Sequence, residues 1–350
     1  MDNALINSIK NKNCLILNLW ACQNYGAILT CYGVYLLLNK IGFNSKIINY
    51  FPKEIFKERF EGSFVQDFSQ KYFNLTKKIE SDNDFYSLNN ESDVFIVGSD
   101  QVWNQKIARV HHENASSNIY QLGFVEKGKK RLSLSASFGV DFFYGEEDEK
   151  QNFAKLIKKF DAISVREDSG VKILKDDFGV FSTQLIDGAF FINSDVLENL
   201  TSDFGNTDDK YIAVFTLPYY KNMVWYKKYL QKISDYFKLP LKVMDFDNKI
   251  SVEKWLSFIK KSEFVVSDSY HAIIFSIIFN KPFVQLKNAL AQSRFEALYK
   301  LLGVQACILD ENIKEDNIQF FYENKWSSVN EKISKEIEKA EKWVVENIGM

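Results

Sequence analysis

The chain has 350 residues, with 46% hydrophobic and 26% charged side chains, the profile of an ordinary water-soluble globular protein with room for about two domains. A net charge of −2 argues against a dedicated nucleic-acid binder, and no apolar run approaches the ~20 residues of a membrane span. The N-terminus does not read as a signal peptide, because the apolar run Cys14–Trp20 is short and broken by Asn18.

In chain order, Cys14–Trp20 predicts a buried strand, Gln23-Asn24-Tyr25-Gly26 a turn, and Ala27–Asn39 an apolar helix stopped at Gly42. Lys46–Tyr50 is a second strand. Phe51–Asn90 is aromatic and polar, and predicts irregular helices or a lid inserted outside the sheet. Val94–Val97 is a third strand, followed by the loop Gly98–Asn104. Arg131–Ala136, Ile163–Arg166 and Gln184–Ile186 continue the strands, with helices over Gln151–Phe160 and Asp168–Lys175 between them. Polar Asn193–Asp209 marks a domain boundary. Beyond it the alternation repeats: strand Ile212–Thr216, helix Met223–Phe237, strand Leu241–Asp245, helix Val252–Lys260.

Phe264–Val284 then reads as strand, tight loop, buried helix and strand, the core unit of a parallel α/β sheet. Helix Ser293–Leu302 closes at Gly303, strand Val304–Leu309 follows, and apolar residues at three- and four-residue spacing from Trp326 predict a long amphipathic helix packing back across both domains. The expected organisation is therefore an α/β protein of two Rossmann-like domains facing each other across a cleft. The N-terminal domain covers residues 1–195 with the irregular insertion 51–90, the C-terminal domain 196–325, and the terminal helix 326–350.

In open α/β sheets ligands bind outside the carboxyl ends of the strands. Asn24, Tyr25, Gly26, Asp100, Gln101, Trp103, Asn104, Arg166 and His271 are all expected there. His271 opens its helix, where free N–H groups attract anions and an imidazole can hold a phosphate or carboxylate or move a proton. Of 44 basic residues only five are Arg (Arg59, Arg109, Arg131, Arg166, Arg294), and Arg166 and Arg294 stand at element ends, where a planar fork suits carboxylate or phosphate. Asp100 suits proton abstraction from a hydroxyl, or helix capping. Gln101 and Asn104 suit sugar hydroxyls, and the Trp103 face suits a sugar ring. His111-His112-Glu113 has no third ligand placed nearby, so no metal site is expected. Lys127–Arg131 reads as a solvated loop that could approach an anionic membrane surface. The cysteines Cys14, Cys22, Cys31 and Cys307 show no CxxC pairing and read as reduced core thiols of a cytosolic protein.

Asn24–Phe43, Phe95–Asn104, Ser164–Leu174, Val265–Val284 and Ser293–Gly303, in that order, resemble the bacterial polysaccharide pyruvyl transferases. The resemblance implies a GT-B-like fold. It implies transfer of a pyruvyl group from phosphoenolpyruvate onto two hydroxyls of a sugar, as a cyclic ketal. That sugar would belong to a capsule or exopolysaccharide or to its lipid-linked precursor. No cofactor is implied. The cytoplasm, at the inner face of the membrane, is the implied location. Donor contacts then fall to Arg166, Ser269, His271 and Arg294, catalysis to His271 and Asp100, and acceptor contacts to Asn24, Tyr25, Gly26, Gln101, Trp103 and Asn104. Many members read Arg-x-His where this chain has Ser269-Tyr270-His271, and Arg294 is expected to supply the missing charge. The same fold could host glycosyl transfer from a nucleotide sugar, or a non-catalytic sugar- or phosphate-binding protein.

Overall fold

The structure is a computed structural model, and it describes residues 8–51, 59–107, 118–202, 209–217, 224–244, 250–288, 292–312 and 323–349. Strand β1 (Asn13–Leu17) is buried on both faces, as expected where helices cover both sides of a parallel sheet. It pairs with β2 (Asn44–Asn49) on one side and β4 (Val94–Asp100) on the other. β3 (Leu75–Lys78) lies outside β2, while β5 (Lys130–Ala136), β6 (Ala162–Val165) and β7 (Thr183–Gln184) extend the sheet beyond β4. Every pairing is parallel, in the order β3-β2-β1-β4-β5-β6-β7.

The stretch expected as an irregular insertion therefore corrects to part of the sheet, since it supplies edge strand β3. The strand carries two lysines in four residues, Lys77 exposed and Lys78 half-buried, which is how an open sheet edge is kept from pairing further.

A second parallel sheet holds β8 (Ile212–Phe215), β9 (Leu241–Met244), β10 (Phe264–Ser267), β11 (Phe283–Leu286) and β12 (Cys307–Leu309), in the order β12-β11-β10-β8-β9. The chain divides into two compact units: residues 1–192 with 333–350, and residues 193–332. The first is cored by residues such as Leu15, Phe95, Trp103, Phe138 and Val165. The second is cored by Ile212, Ile233, Phe264, Val266 and Val284. Full burial of each such side chain is worth roughly 1.5–3 kcal/mol.

Each sheet reverses its winding direction once. In the first this happens between β1 and β4, in the second between β8 and β10. Loops leaving the strands there diverge and open a crevice at the carboxyl ends.

Helix Tyr25–Lys40 is apolar nearly all round and buried along most of its length. Its Gly33 lets the backbone at Gly188 approach so closely that an added Cβ would stand 1.9 Å from the Gly188 carbonyl oxygen. Gly33→Ala is expected to cost about 3 kcal/mol, overpacking outweighing the ~1 kcal/mol that alanine adds to a helix. A urea midpoint at or above that of the native chain would contradict this packing.

All four cysteines are free, and burial pushes the Cys14 and Cys31 thiols far up, which keeps them protonated.

Candidate active site

In the first unit the strand ends converge on Arg166, the residue after β6. Its side chain has no exposed surface. Nη1 donates to Asp187 Oδ2 at 2.6 Å, Nε lies 3.5 Å from Glu167 Oε2, and Nη2 lies 3.5 Å from Asp100 Oδ1. One guanidinium thus holds three carboxylates from separate strand ends. Glu167 in turn accepts the Phe138 N–H at 2.9 Å, and Asp187 accepts the Ala189 N–H at 2.8 Å. The expectation that Arg166 grips an anionic donor is corrected by this arrangement: its guanidinium has no exposed surface and faces three carboxylates, whose charge repels a further anion at this spot.

Asp100 is the carboxylate of the three with appreciable side-chain exposure, 11% against 1% for Glu167 and none for Asp187. Its backbone is held at φ 112°, and its carbonyl accepts the Val102 and Ser137 N–H groups. A second constrained residue lies on the neighbouring strand. Ser135 has φ 57° beside a register shift between Ser133 and Ala136, and its Oγ donates to the Ile186 carbonyl at 2.7 Å. Such strain and bulges concentrate where a sheet must aim side chains at a ligand.

The Gln101 and Asn104 amides are bonded to each other at 3.0 Å, directly over Gly139, where an added Cβ would meet Gln101 Oε1 at 2.0 Å. Gln101 is half-buried. Trp103, expected as a sugar platform, is instead 1% exposed. Its N–H donates to the Tyr120 carbonyl, and its ring packs on Phe138, Phe153 and Phe160. Asn24 is exposed but caps the helix that follows, accepting from Gly26 N and Ala27 N. Tyr25 is buried and stacked on Phe64 at 4.5 Å, and Gly26 is buried. The acceptor contacts expected of Trp103 and Tyr25 are thus corrected to packing, while Gly26 donates its N–H to Asn24 Oδ1.

In the second unit the winding reversal is bridged by Asp268, whose Oδ1 accepts the Leu217 N–H at 2.8 Å. Ser269 caps helix Tyr270–Ile278 by accepting from Ala272 N at 3.4 Å. His271, 8% exposed, stands in the first turn with its ring 5.4 Å from that of Tyr270, edge to face. The Arg294 guanidinium lies over the Tyr270 ring at 5.1 Å. Three expected residues, Ser269, His271 and Arg294, are brought together here, and Tyr270 is what joins them. An amide pair, buried Gln285 and half-buried Gln292, with Tyr299 donating to Gln285 Oε1 at 2.9 Å, closes the adjoining strand end.

Burial pushes the Asp268 carboxyl up to about 6 and the Tyr226 hydroxyl above its ordinary value. Sequence reasoning missed Asp187, Asp268, Tyr226 and Tyr270. The one local signal was an acidic residue directly after an apolar strand, as in Ile186-Asp187 and Ser267-Asp268. Among the described residues no His, Cys, Asp and Glu are clustered to hold a metal ion. No described helix is long and apolar enough to cross a membrane. His111, His112, Glu113 and Arg109 lie outside the described residues.

The sequence matches the family profile for polysaccharide pyruvyl transferase over residues 24–288. No curated protein sequence matches the chain. Among solved structures, UDP-GlcNAc 2-epimerase from Methanocaldococcus jannaschii is similar at 15% identity and TM-score 0.54, covering 93% of this chain and 92% of that one. UDP-GlcNAc 2-epimerase from Neisseria meningitidis, bound to UDP-GlcNAc, is similar at 11% identity and TM-score 0.52, covering 96% and 99%. At such identities the likeness is one of fold: two parallel α/β sheets of the GT-B kind.

Proposed function

The chain belongs to the polysaccharide pyruvyl transferase family, and from that premise we propose that it moves the pyruvyl group of phosphoenolpyruvate onto two hydroxyls of a saccharide. The product is a cyclic ketal, and phosphate is released. The saccharide is a lipid-linked precursor of a surface polysaccharide, met at the inner face of the membrane. Phosphoenolpyruvate is a co-substrate, and the reading calls for no cofactor.

The observation that carries this reading is the Arg294–Tyr270–His271 cluster at the first turn of a helix capped by Ser269. A donor with a phosphate and a carboxylate needs a fixed cation, a second group able to carry charge, and free backbone N–H donors. This strand end presents a cation in Arg294, a group able to carry charge in His271 and the positive end of a helix dipole, within one short stretch and its neighbour helix. Arg294 supplies from the neighbouring helix the cation that many members carry at the position of Ser269. Asp100, the most exposed carboxylate of the first unit's cluster, is the group suited to take a proton from a saccharide hydroxyl. Arg166 is the positioning residue that holds Asp100, itself held by Glu167 and Asp187, and half-buried Gln101, anchored by Asn104, offers its amide to the saccharide.

The test is incubation of phosphoenolpyruvate and the purified chain with lipid-linked saccharides, read by mass spectrometry. The expected product has gained a pyruvate ketal, with one phosphate released per turnover. In a parallel titration, phosphoenolpyruvate should give heat and UDP-GlcNAc none. The reverse pattern would assign the chain to nucleotide-sugar chemistry.

A further inference from the structure

Asp268 is an unexpected group to find in a site for an anion. It directly follows β10 where β8 and β10 part, is 2% exposed, and precedes by three residues the His271 assigned to the donor. Its Oδ1 ties the loop after β8 to the loop after β10 through the Leu217 N–H. The Tyr226 hydroxyl, 3.5 Å from Thr216 Oγ1, lies in its electrostatic reach. An ionised carboxylate here opposes the attraction that the helix N-terminus and Arg294 exert on a phosphate. A protonated one does not. Burial already raises Asp268 to about 6, and an arriving dianion raises it further.

The enol donor needs a proton of this kind. Its methylene carbon must gain one before the adjacent carbon becomes electrophilic. We infer that Asp268 is the acid of the reaction: donor binding loads its carboxyl with a proton, which the carboxyl delivers to the methylene carbon.

The inference rests on the pyruvyl-transfer reading above. In the step, the carboxyl O–H bond breaks, and the π pair of the enol forms the new C–H bond. The carbon bearing the phosphate becomes oxocarbenium-like, and a hydroxyl oxygen adds to it. Phosphate leaves with its C–O pair, and the second hydroxyl closes the ketal. Of the two hydroxyl protons, one balances the proton gained by carbon and the other departs on phosphate.

Asp268→Asn separates this role from a structural one, because the amide oxygen still accepts from Leu217 while the side chain has no proton to deliver. Titration with phosphoenolpyruvate at pH 7.5 in buffers of different ionisation enthalpy counts the protons taken up on binding. The native chain is expected to take up roughly half a proton or more per donor. The variant should lose most of that uptake while its donor affinity stays within about threefold, since the bond to Leu217 is kept. Among the described residues the other charged or titratable groups at this strand end are Tyr226, Tyr270, Tyr299 and Arg294, whose ordinary ranges lie well above neutrality, and His271, an imidazole that can also take up a proton. His271→Gln should therefore retain the Asp268 share. With an acceptor, kcat of Asp268→Asn should fall by about 10²–10⁴ with little change in KM.

Equal uptake in the native chain and in Asp268→Asn would overturn the inference. Should that variant not fold, His271→Gln decides: its uptake must persist at pH 7.5 and shrink as pH falls through 6, and uptake lost in that variant or constant between pH 5 and 8 overturns the inference. Absence of any binding heat from phosphoenolpyruvate in the native chain is a different failure, that of the donor assignment itself.

Discussion

Replacing Arg166 by methionine lowers the stability of the first unit by about 3–5 kcal/mol, the usual consequence of removing one partner from a buried ionic cluster. The guanidinium is wholly enclosed, and three carboxylates depend on it. Without it Asp187 and Glu167 are buried negative charges facing Asp100. Their folded-state pKa values then rise above those of the unfolded chain, so the folded state binds more protons and stability falls as pH rises. The loss measured by urea unfolding should accordingly be greater at pH 8 than at pH 5. Arg166→Lys restores part of it, because an ammonium keeps the charge but cannot reach three acids from one planar fork. A methionine variant as stable as the native chain at pH 8 would mean that the carboxylates are held by something else.

Asp100→Asn abolishes most turnover while leaving the fold intact. Asparagine tolerates positive φ better than other branched or bulky residues, and the backbone bonds to Val102 and Ser137 do not involve the side chain. The carboxylate is lost as proton acceptor, which is worth about 10²–10⁴ in kcat. Phosphate release from phosphoenolpyruvate in the presence of a competent saccharide is the measurement. Turnover within twofold of native would remove Asp100 from the chemistry and leave it a structural partner of Arg166.

The alternation of buried strands and helices was legible because parallel strands covered on both faces are nearly continuous apolar runs, as in Val94–Val97 and Phe264–Val266. β3 was not, since Leu75-Thr76-Lys77-Lys78 is an edge strand with little apolar signal. Scarce arginine marked buried positions only in part: Arg131, Arg166 and Arg294 are buried, whereas Arg59 is exposed. What the marker could not reveal was the partner. Arg166 meets Asp100 and Asp187, 66 and 21 positions away, through sheet pairing alone. Trp103 misled for a similar reason. Its polar neighbours Gln101 and Asn104 suggest a sugar, but the Trp103 N–H bond to the Ser137 carbonyl and the indole bond to Tyr120 fix the side chain in the core. The placement of Ser269 and His271 at a helix start was more readable, because helix capping is local.

The second unit is one uninterrupted stretch, whereas the first is completed by residues 333–350. Within them Ala340, Val344, Val345 and Ile348 are buried, and Glu341 bonds Lys40 across 301 positions. During synthesis on the ribosome the first unit must therefore wait, its closing helix missing, until the whole of the second has been made. A nascent chain stalled shortly before residue 333 would carry the second unit entire beside a first unit lacking its last apolar strip, a form that chaperones would be expected to retain.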